Sequence, residues 1–174
     1  MSPGGHLVTT LAACGAAGAV TQSWPVVAGV AAGGFLIDVD HAIDYVLFEG
    51  QRDLRPGVFL RYYVEGRVKR VVLGLHSYEL FGLLAVVAWW SEWTPLWAYL
   101  AGAVLHLGLD IAFNGEFVPG NIVAFYSFVY RARHRFSGPA LLSKDRREAA
   151  PDGFWRAFFR GAAPAPVATS GERS

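Results

Sequence analysis

The sequence predicts an all-α fold, a polytopic membrane helical bundle of about four transmembrane helices with interfacial helices near its C-terminal end. Two observations predict this class. Of the 174 residues, 53% are hydrophobic, and the mean hydropathy of +0.32 lies above the ordinary soluble range. All 15 Lys and Arg residues fall within 52–70 and 131–173, so 1–51 and 71–130 carry no basic side chain.

Four stretches outside these basic blocks have the composition of membrane helices. The first is rich in Ala and Gly and is short for a span of ~20 residues, which favours tight packing among other helices. The second begins at Pro25, a residue that suits the first turn of a helix. The four predicted helices cover 7–20, 25–48, 71–90 and 95–113.

The remaining segments are shorter or more polar. Residues 49–70 form an Arg-rich loop, and 121–130 are too short to span, which predicts a re-entrant or interfacial helix. The stretch 154–160 mixes aromatic residues with Arg, as membrane-surface helices do. The Ala, Pro, Ser and Gly composition after about 161 predicts disorder. We therefore divide the chain into a transmembrane domain, 1–130, and a basic cytoplasmic tail, 131–174.

The distribution of positive charge predicts the orientation in the membrane. Lys and Arg favour the cytoplasmic side, so both basic blocks are expected there, and an even number of spans also places the N-terminus there. We expect a multi-pass protein of the inner membrane, with membrane lipid as its partner and no nucleic acid. The single Cys14 excludes an intrachain disulfide.

Histidine and carboxylate residues recur in or beside the apolar segments. An ionisable group inside an apolar helix costs roughly 2.5–3.5 kcal/mol on insertion scales, so such a group needs a compensating partner. A lone His or Asp is more often an interhelical hydrogen-bond partner than a ligand, but a group of them predicts a bound cation. The candidates are His6, Asp38, Asp40, His41, Asp44, His76, Glu79, His106 and Asp110.

The orientation inferred from Lys and Arg places all of these candidates in the cytoplasmic halves of the predicted helices. Imidazole and carboxylate together suit a divalent metal, Zn²⁺ first and Mn²⁺ or Fe as alternatives, with one or more ions. The predicted metal ligands are His6, Asp38, His41, Asp44, His76, His106 and Asp110. The predicted catalytic carboxylates are Asp40, which could also be a ligand, and Glu79, as a general base or a carboxylate that orients a ligand.

At these positions the chain resembles the membrane-bound metal-dependent hydrolase (YdjM-like) family. The family pattern is an early His, D-x-D-H late in the second apolar segment, T-H-S, and a later H-x-x-x-D. Here His6, the run at 38–41, His76 before Ser77, and His106 with Asp110 match in that order, over about 1–130.

The match has two departures. Val71-Val72 stand where members of the family often have His-Arg, and Leu75 replaces the Thr of T-H-S. The ligand or basic group missing there is left to Lys69 or Arg70. The family is distantly similar to zinc-dependent phospholipase C and S1/P1 nucleases, so the resemblance implies hydrolysis of a phosphoester.

The expected function is therefore that of an integral membrane metal-dependent hydrolase acting on a phosphoester at the cytoplasmic leaflet. A bound metal would lower the pKa of a water toward ~7 and polarise the bond under attack. Two alternatives stay open. A non-catalytic scaffold with a structural metal predicts a closed ligand shell, and a metal or proton transporter predicts ionisable groups along a path across the membrane.

Overall fold

The computed structural model describes residues 1–118, 120–142 and 150–161, and over these residues the chain is all-helical. No β-strand occurs in the described part; one isolated bridge joins Arg70 and Ser137. The predicted disorder after about 161 lies outside the described residues. The α-helices of the described ranges are α1 Pro3–Thr21, α2 Trp24–Gly34, α3 Val39–Ile43, α4 Pro56–Val64, α5 Tyr78–Ser91, α6 Thr94–Phe113, α7 Ile122–Phe125, α8 Phe128–Arg133, α9 Gly138–Leu141 and α10 Phe154–Arg160.

The centre of the fold is the packing of α2 against α6, with α1 against α2 and α5 against α6. Small residues allow α2 and α6 to approach closely. A Cβ atom at Gly29 would lie 2.5 Å from the carbonyl oxygen of Pro95, and one at Gly102 would lie 2.5 Å from that of Val30. A Cβ atom at Gly33 would lie closer still, 2.0 Å from the carbonyl oxygen of Tyr99. Such close backbone approach is typical of helices that pack through glycine in membranes.

One or two helices are long and apolar enough to cross a membrane. The helix α6 has the length and hydropathy of a membrane span. The helix α2 together with Leu36–Phe48 has them as well, as a second segment bent by 47°. The helix α5 is apolar but shorter. The all-α class is thus confirmed over the described residues, with fewer full-length spans than the sequence predicts.

The predicted helix at 25–48 breaks after Gly34. A continuing helix would use the Gly34 carbonyl for the backbone N–H of Asp38, but that carbonyl lies 2.9 Å from Nδ1 of His106. The Asp38 N–H donates instead to Phe35, at 3.3 Å, in a short 3₁₀ turn over Leu36–Asp38. The chain then continues through α3 and one π-helical turn at Asp44–Phe48.

The prediction of a helix beginning at residue 71 is wrong, because α5 begins at Tyr78 and 71–77 form an irregular loop. Carboxylates of the preceding segment accept hydrogen bonds from the backbone N–H groups of this loop, so those groups do not form the hydrogen bonds of a helix. Ser77 caps α5 by accepting from the N–H of Leu80, at 3.4 Å.

The other segments also differ in detail from the sequence-based predictions. The predicted loop 49–70 contains α4, and 121–130 contain α7 and the start of α8. The predicted helix at 154–160 is confirmed as α10, which packs against α1 and α4. The helix α8 runs across the predicted domain boundary at residue 130, so the start of the basic segment belongs to the helical body.

Candidate metal centre

Seven side chains from four separate segments meet at one place. They form three overlapping groups whose nitrogen and oxygen atoms lie within 4.8 Å of one another inside each group. The first group is His6, His106 and Asp110; the second is Asp38, His76 and His106; the third is Asp40, His41 and His76. His76 and His106 each belong to two groups, so the three form one continuous cluster.

Asp38 lies between three of the imidazole rings. Its Oδ1 atom is 3.4 Å from Nε2 of His76, 3.4 Å from Nε2 of His106 and 3.6 Å from Nε2 of His41. The break after α2 creates this position, because the 3₁₀ turn directs Asp38 toward the loop before α5 and toward α6. A carboxylate oxygen surrounded by imidazole nitrogens is an arrangement that a shared cation stabilises.

The hydrogen bonds of the two central histidines determine their tautomers. Nδ1 of His106 lies 2.9 Å from the Gly34 carbonyl, which can only accept, so Nδ1 carries the hydrogen. Nδ1 of His76 lies 2.9 Å from Asp40 Oδ2 and donates to that carboxylate. If both rings were neutral, Nε2 of His76 and Nε2 of His106 would present two lone pairs to each other across 3.1 Å. Two lone pairs at this distance repel unless a positive charge lies between or beside them.

His6 and Asp110 extend the cluster on the side of α1. His6 Nε2 lies 2.9 Å from Asp110 Oδ1, and Asp110 Oδ2 lies 3.4 Å from His106 Nε2. The rings of His6 and His106 stack at 3.8 Å between centroids. The terminal amine of Met1 lies 3.0 Å from Asp110 Oδ1, and Asn114 donates to the same oxygen at 2.7 Å. The carboxylate of Asp110 is therefore held in a fixed orientation by its neighbours.

The centre is buried at His76 and His106 and partly exposed at Asp38 and His41. His76 and His106 are each only 1% exposed, whereas the side chains of Asp38 and His41 are 29% and 31% exposed. An open side is a feature of catalytic metal sites, which leave a position for water or substrate, whereas structural sites are closed.

The donor set fits a divalent metal ion. Four imidazoles with carboxylates between them match the ligand preference of Zn²⁺, Mn²⁺ or Fe. Nδ1 of His6 and Nδ1 of His41 are buried and have no hydrogen-bond partner among the described residues. Buried polar atoms without a partner are rare in folded proteins, and at a cluster of histidines they favour a missing ligand.

Electrostatics also favour positive charge at this centre. Burial disfavours the charged imidazole of His76, but the carboxylates of Asp40 and Asp38 outweigh it and raise the pKa of His76 to about 10. The negative field that favours a proton on this imidazole also favours a metal cation in place of that proton.

Asp40 and Asp44 support the loop that carries His76. Asp40 Oδ2 accepts from the backbone N–H groups of Leu75, at 3.0 Å, and His76, at 3.2 Å, while also binding the His76 ring. Asp44 Oδ2 accepts from Val72 at 2.7 Å and Leu73 at 3.0 Å. Asp44 lies outside the three groups and anchors the loop, so its role as a ligand stays a prediction.

Glu79 also has a role other than the predicted one. Its exposed carboxylate accepts from Ser127 Oγ at 2.5 Å, Phe128 N at 2.8 Å and Val129 N at 3.2 Å. Phe128 and Val129 carry the first backbone N–H groups of α8, and Ser127 is its N-cap. Glu79 therefore caps that helix, and its negative charge lies at the positive end of the helix dipole. All of these contacts are to residues outside the imidazole cluster, so the role of Glu79 as a general base or as a carboxylate that orients a ligand stays a prediction.

Arg131 is a residue near the centre that the sequence did not identify. Its side chain is fully buried, 0% exposed, and it contacts the loop that carries His76. It is the first member of the second basic block, and its sequence context resembles that of the arginines that follow it. Only the folded chain distinguishes it from them.

No family model, curated protein or solved structure matches this chain, so the cluster is interpreted from its own geometry.

Proposed function

We propose that the protein is a membrane-bound metal-dependent hydrolase that acts on a phosphoester at the cytoplasmic leaflet. The observation that carries the proposal is the convergence of His76 Nε2, His106 Nε2 and Asp38 Oδ1 at a centre that is open beside Asp38 and His41. The resemblance of the sequence motifs to the YdjM-like family supports the same chemistry.

A metal ion bound here, with Zn²⁺ the first choice, would activate a water and polarise a phosphoryl oxygen. The residues of this chain have separate tasks. His76, His106 and Asp38 hold the ion, His6 and Asp110 form the adjoining group, and the exposed side gives substrate access. Asp40 keeps the His76 ring in the orientation that directs Nε2 inward.

The exposed aromatic residues support a place in the membrane. Trp89, Trp90 and Trp93 are 79%, 88% and 58% exposed around the turn that joins α5 to α6, as expected for an aromatic belt at a membrane surface. On α10, Trp155 is 67% exposed, as expected for an interfacial helix. The metal centre lies near the opposite end of α6, on the side of the basic residues.

Two observations weigh against the alternatives. A transporter needs ionisable groups along a path, but the sequence has no Asp, Glu, His, Lys or Arg over 7–37, 80–91 or 94–105. A scaffold with a structural metal needs a closed ligand shell, whereas Asp38 and His41 are partly exposed.

The test is hydrolysis by the full chain purified in mild detergent and loaded with Zn²⁺, Mn²⁺ or Fe²⁺. We expect turnover of a phosphomonoester, a phosphodiester or a phospholipid that a chelator abolishes and added metal restores. His106→Ala should be inactive, and His134→Ala, at the C-cap of α8 and outside the three groups, should match the wild type. Stoichiometric metal without chelator-sensitive hydrolysis of any of these substrates would contradict the proposal and favour the scaffold.

A further inference from the structure

Arg131 occupies an unusual place for a cation. It lies in α8, is fully buried, and points its guanidinium at backbone carbonyls. Nε donates to Val72 O at 3.1 Å, Nη2 to Leu73 O at 2.9 Å, and Nη1 to His76 O at 3.2 Å and Phe125 O at 2.6 Å. Three of these four acceptors belong to the loop at 71–77.

This loop is buried without a regular helix or strand to satisfy its backbone. Its N–H groups at Val72, Leu73, Leu75 and His76 bind the carboxylates of Asp44 and Asp40. Its carbonyl groups at Val72, Leu73 and His76 bind Arg131. The carboxylates accept hydrogen bonds from the N–H groups of the loop, and the guanidinium donates hydrogen bonds to its carbonyl groups. The polar backbone of the loop therefore has partners on both sides.

The charge of Arg131 has no direct carboxylate partner among the described residues, which argues for a specific role. Burial lowers the pKa of Arg131, and the nearby carboxylates of Asp40 and Glu79 partly offset this effect. A guanidinium stays charged in proteins, so its burial has to be compensated by its hydrogen bonds. An apolar side chain could fill this space without that penalty, but it could not hold the carbonyl groups.

We propose that Arg131 is a positioning residue for the metal centre, acting through His76. By binding the carbonyl of His76 and those of Val72 and Leu73, it fixes the backbone from which the His76 ring reaches toward His106 and Asp38. The inference rests on the metal centre of the proposed function, but its test does not require hydrolysis. Residues that orient a metal ligand are typically worth about 10–100-fold in metal affinity.

The side-chain chemistry predicts that different substitutions of Arg131 weaken metal binding to different degrees. Arg131 uses three nitrogen atoms to reach four carbonyl oxygens. A lysine has a single ammonium on a flexible stem and cannot span the same acceptors, so Arg131→Lys should keep the charge and lose part of the geometry. Arg131→Met keeps much of the stem and removes every donor.

The experiment is titration of the full chain in detergent with Co²⁺, following its visible absorption bands, with helix content measured by circular dichroism. We expect Arg131→Met to bind Co²⁺ about 10–100-fold more weakly and with altered bands, and Arg131→Lys to fall in between. The matched control is Arg133→Met, an exposed arginine on the same helix, which should behave as the wild type.

Wild-type affinity and bands in Arg131→Met would overturn the inference. If Arg131→Met does not fold, Arg131→Lys decides: weaker binding with shifted bands at normal helix content supports it, and unchanged bands overturn it. A wild type that binds no Co²⁺ would overturn this inference together with the metal centre. Co²⁺ binding by the wild type without hydrolysis would overturn the proposed function alone.

Discussion

The α2–α6 interface and the loop at 71–77 both pack polar backbone inside the protein, but in opposite ways. At the interface the helices approach because Gly29, Gly33 and Gly102 present no side chain. At the loop the backbone is held by charged side chains that bind its N–H and carbonyl groups one by one. Helices satisfy their own backbone and need only space, whereas an irregular buried segment needs specific partners.

The difference matters for the proposed function because the candidate metal centre lies where the two regions meet. His106 belongs to α6, and its ring is oriented by the Gly34 carbonyl at the end of α2. His76 belongs to the loop, and its ring is oriented by Asp40. One central ligand therefore depends on helix packing and the other on a network of polar side chains.

Removal of an anchor of the loop should have the largest effect. Asp44→Ala leaves the N–H groups of Val72 and Leu73 without their acceptor, at about 1–3 kcal/mol for each buried donor. We expect a lower free energy of unfolding and weaker metal binding together. Denaturant titration and metal titration of Asp44→Ala measure both, with Asp53→Ala, at an exposed carboxylate paired with Arg55, as the control. Wild-type values for both would contradict the role of Asp44 as an anchor.

Crowding of the helix interface should have a smaller effect. A Cβ at Gly33 meets the backbone at Tyr99 and Ala103, so Gly33→Ala forces α2 and α6 apart and should cost about 1–3 kcal/mol. Gly15→Ala is the control, because a Cβ there meets nothing within 4 Å and alanine favours a helix by roughly 0.5–1 kcal/mol. Thermal melts should shift in opposite directions, and a shift in the same direction would contradict the account of this interface.

The smallest effect is expected at Glu79. Glu79→Ala removes the cap of α8, which should cost about 1 kcal/mol of stability and leave a folded protein able to bind metal. The measurement compares melting temperature with metal content. Loss of bound metal at unchanged stability would contradict this expectation and support the predicted role of Glu79 at the candidate metal centre.

The sequence predicted the helices better than it predicted the segments between them. Apolar composition and Pro95 were enough to predict α6 almost to its ends, because a helix depends mainly on local pattern. The irregular loop at 71–77 looked like the start of a helix, since Val71, Val72 and Leu73 are apolar. Its conformation depends on Asp40, Asp44 and Arg131, which are distant in the sequence.

The candidate site was predicted in residue type more accurately than in role. Histidines and carboxylates beside apolar segments indicated a cluster, and the structure brings His6, Asp38, His41, His76, His106 and Asp110 together. Local spacing cannot distinguish a ligand from a hydrogen-bond anchor, so the sequence did not show that Asp44 and Glu79 bind backbone N–H groups. Arg131 was missed because its partners are backbone carbonyls, which leave no mark in the sequence.

The most direct test of the central claim is the metal content of the purified chain, measured by elemental analysis after dialysis. The account predicts at least one divalent ion per chain in the wild type and in His134→Ala, and its loss in His76→Ala and in His106→Ala. Full metal content in both of these variants, or a wild type that holds no ion after exposure to Zn²⁺, Mn²⁺ and Fe²⁺, would contradict it.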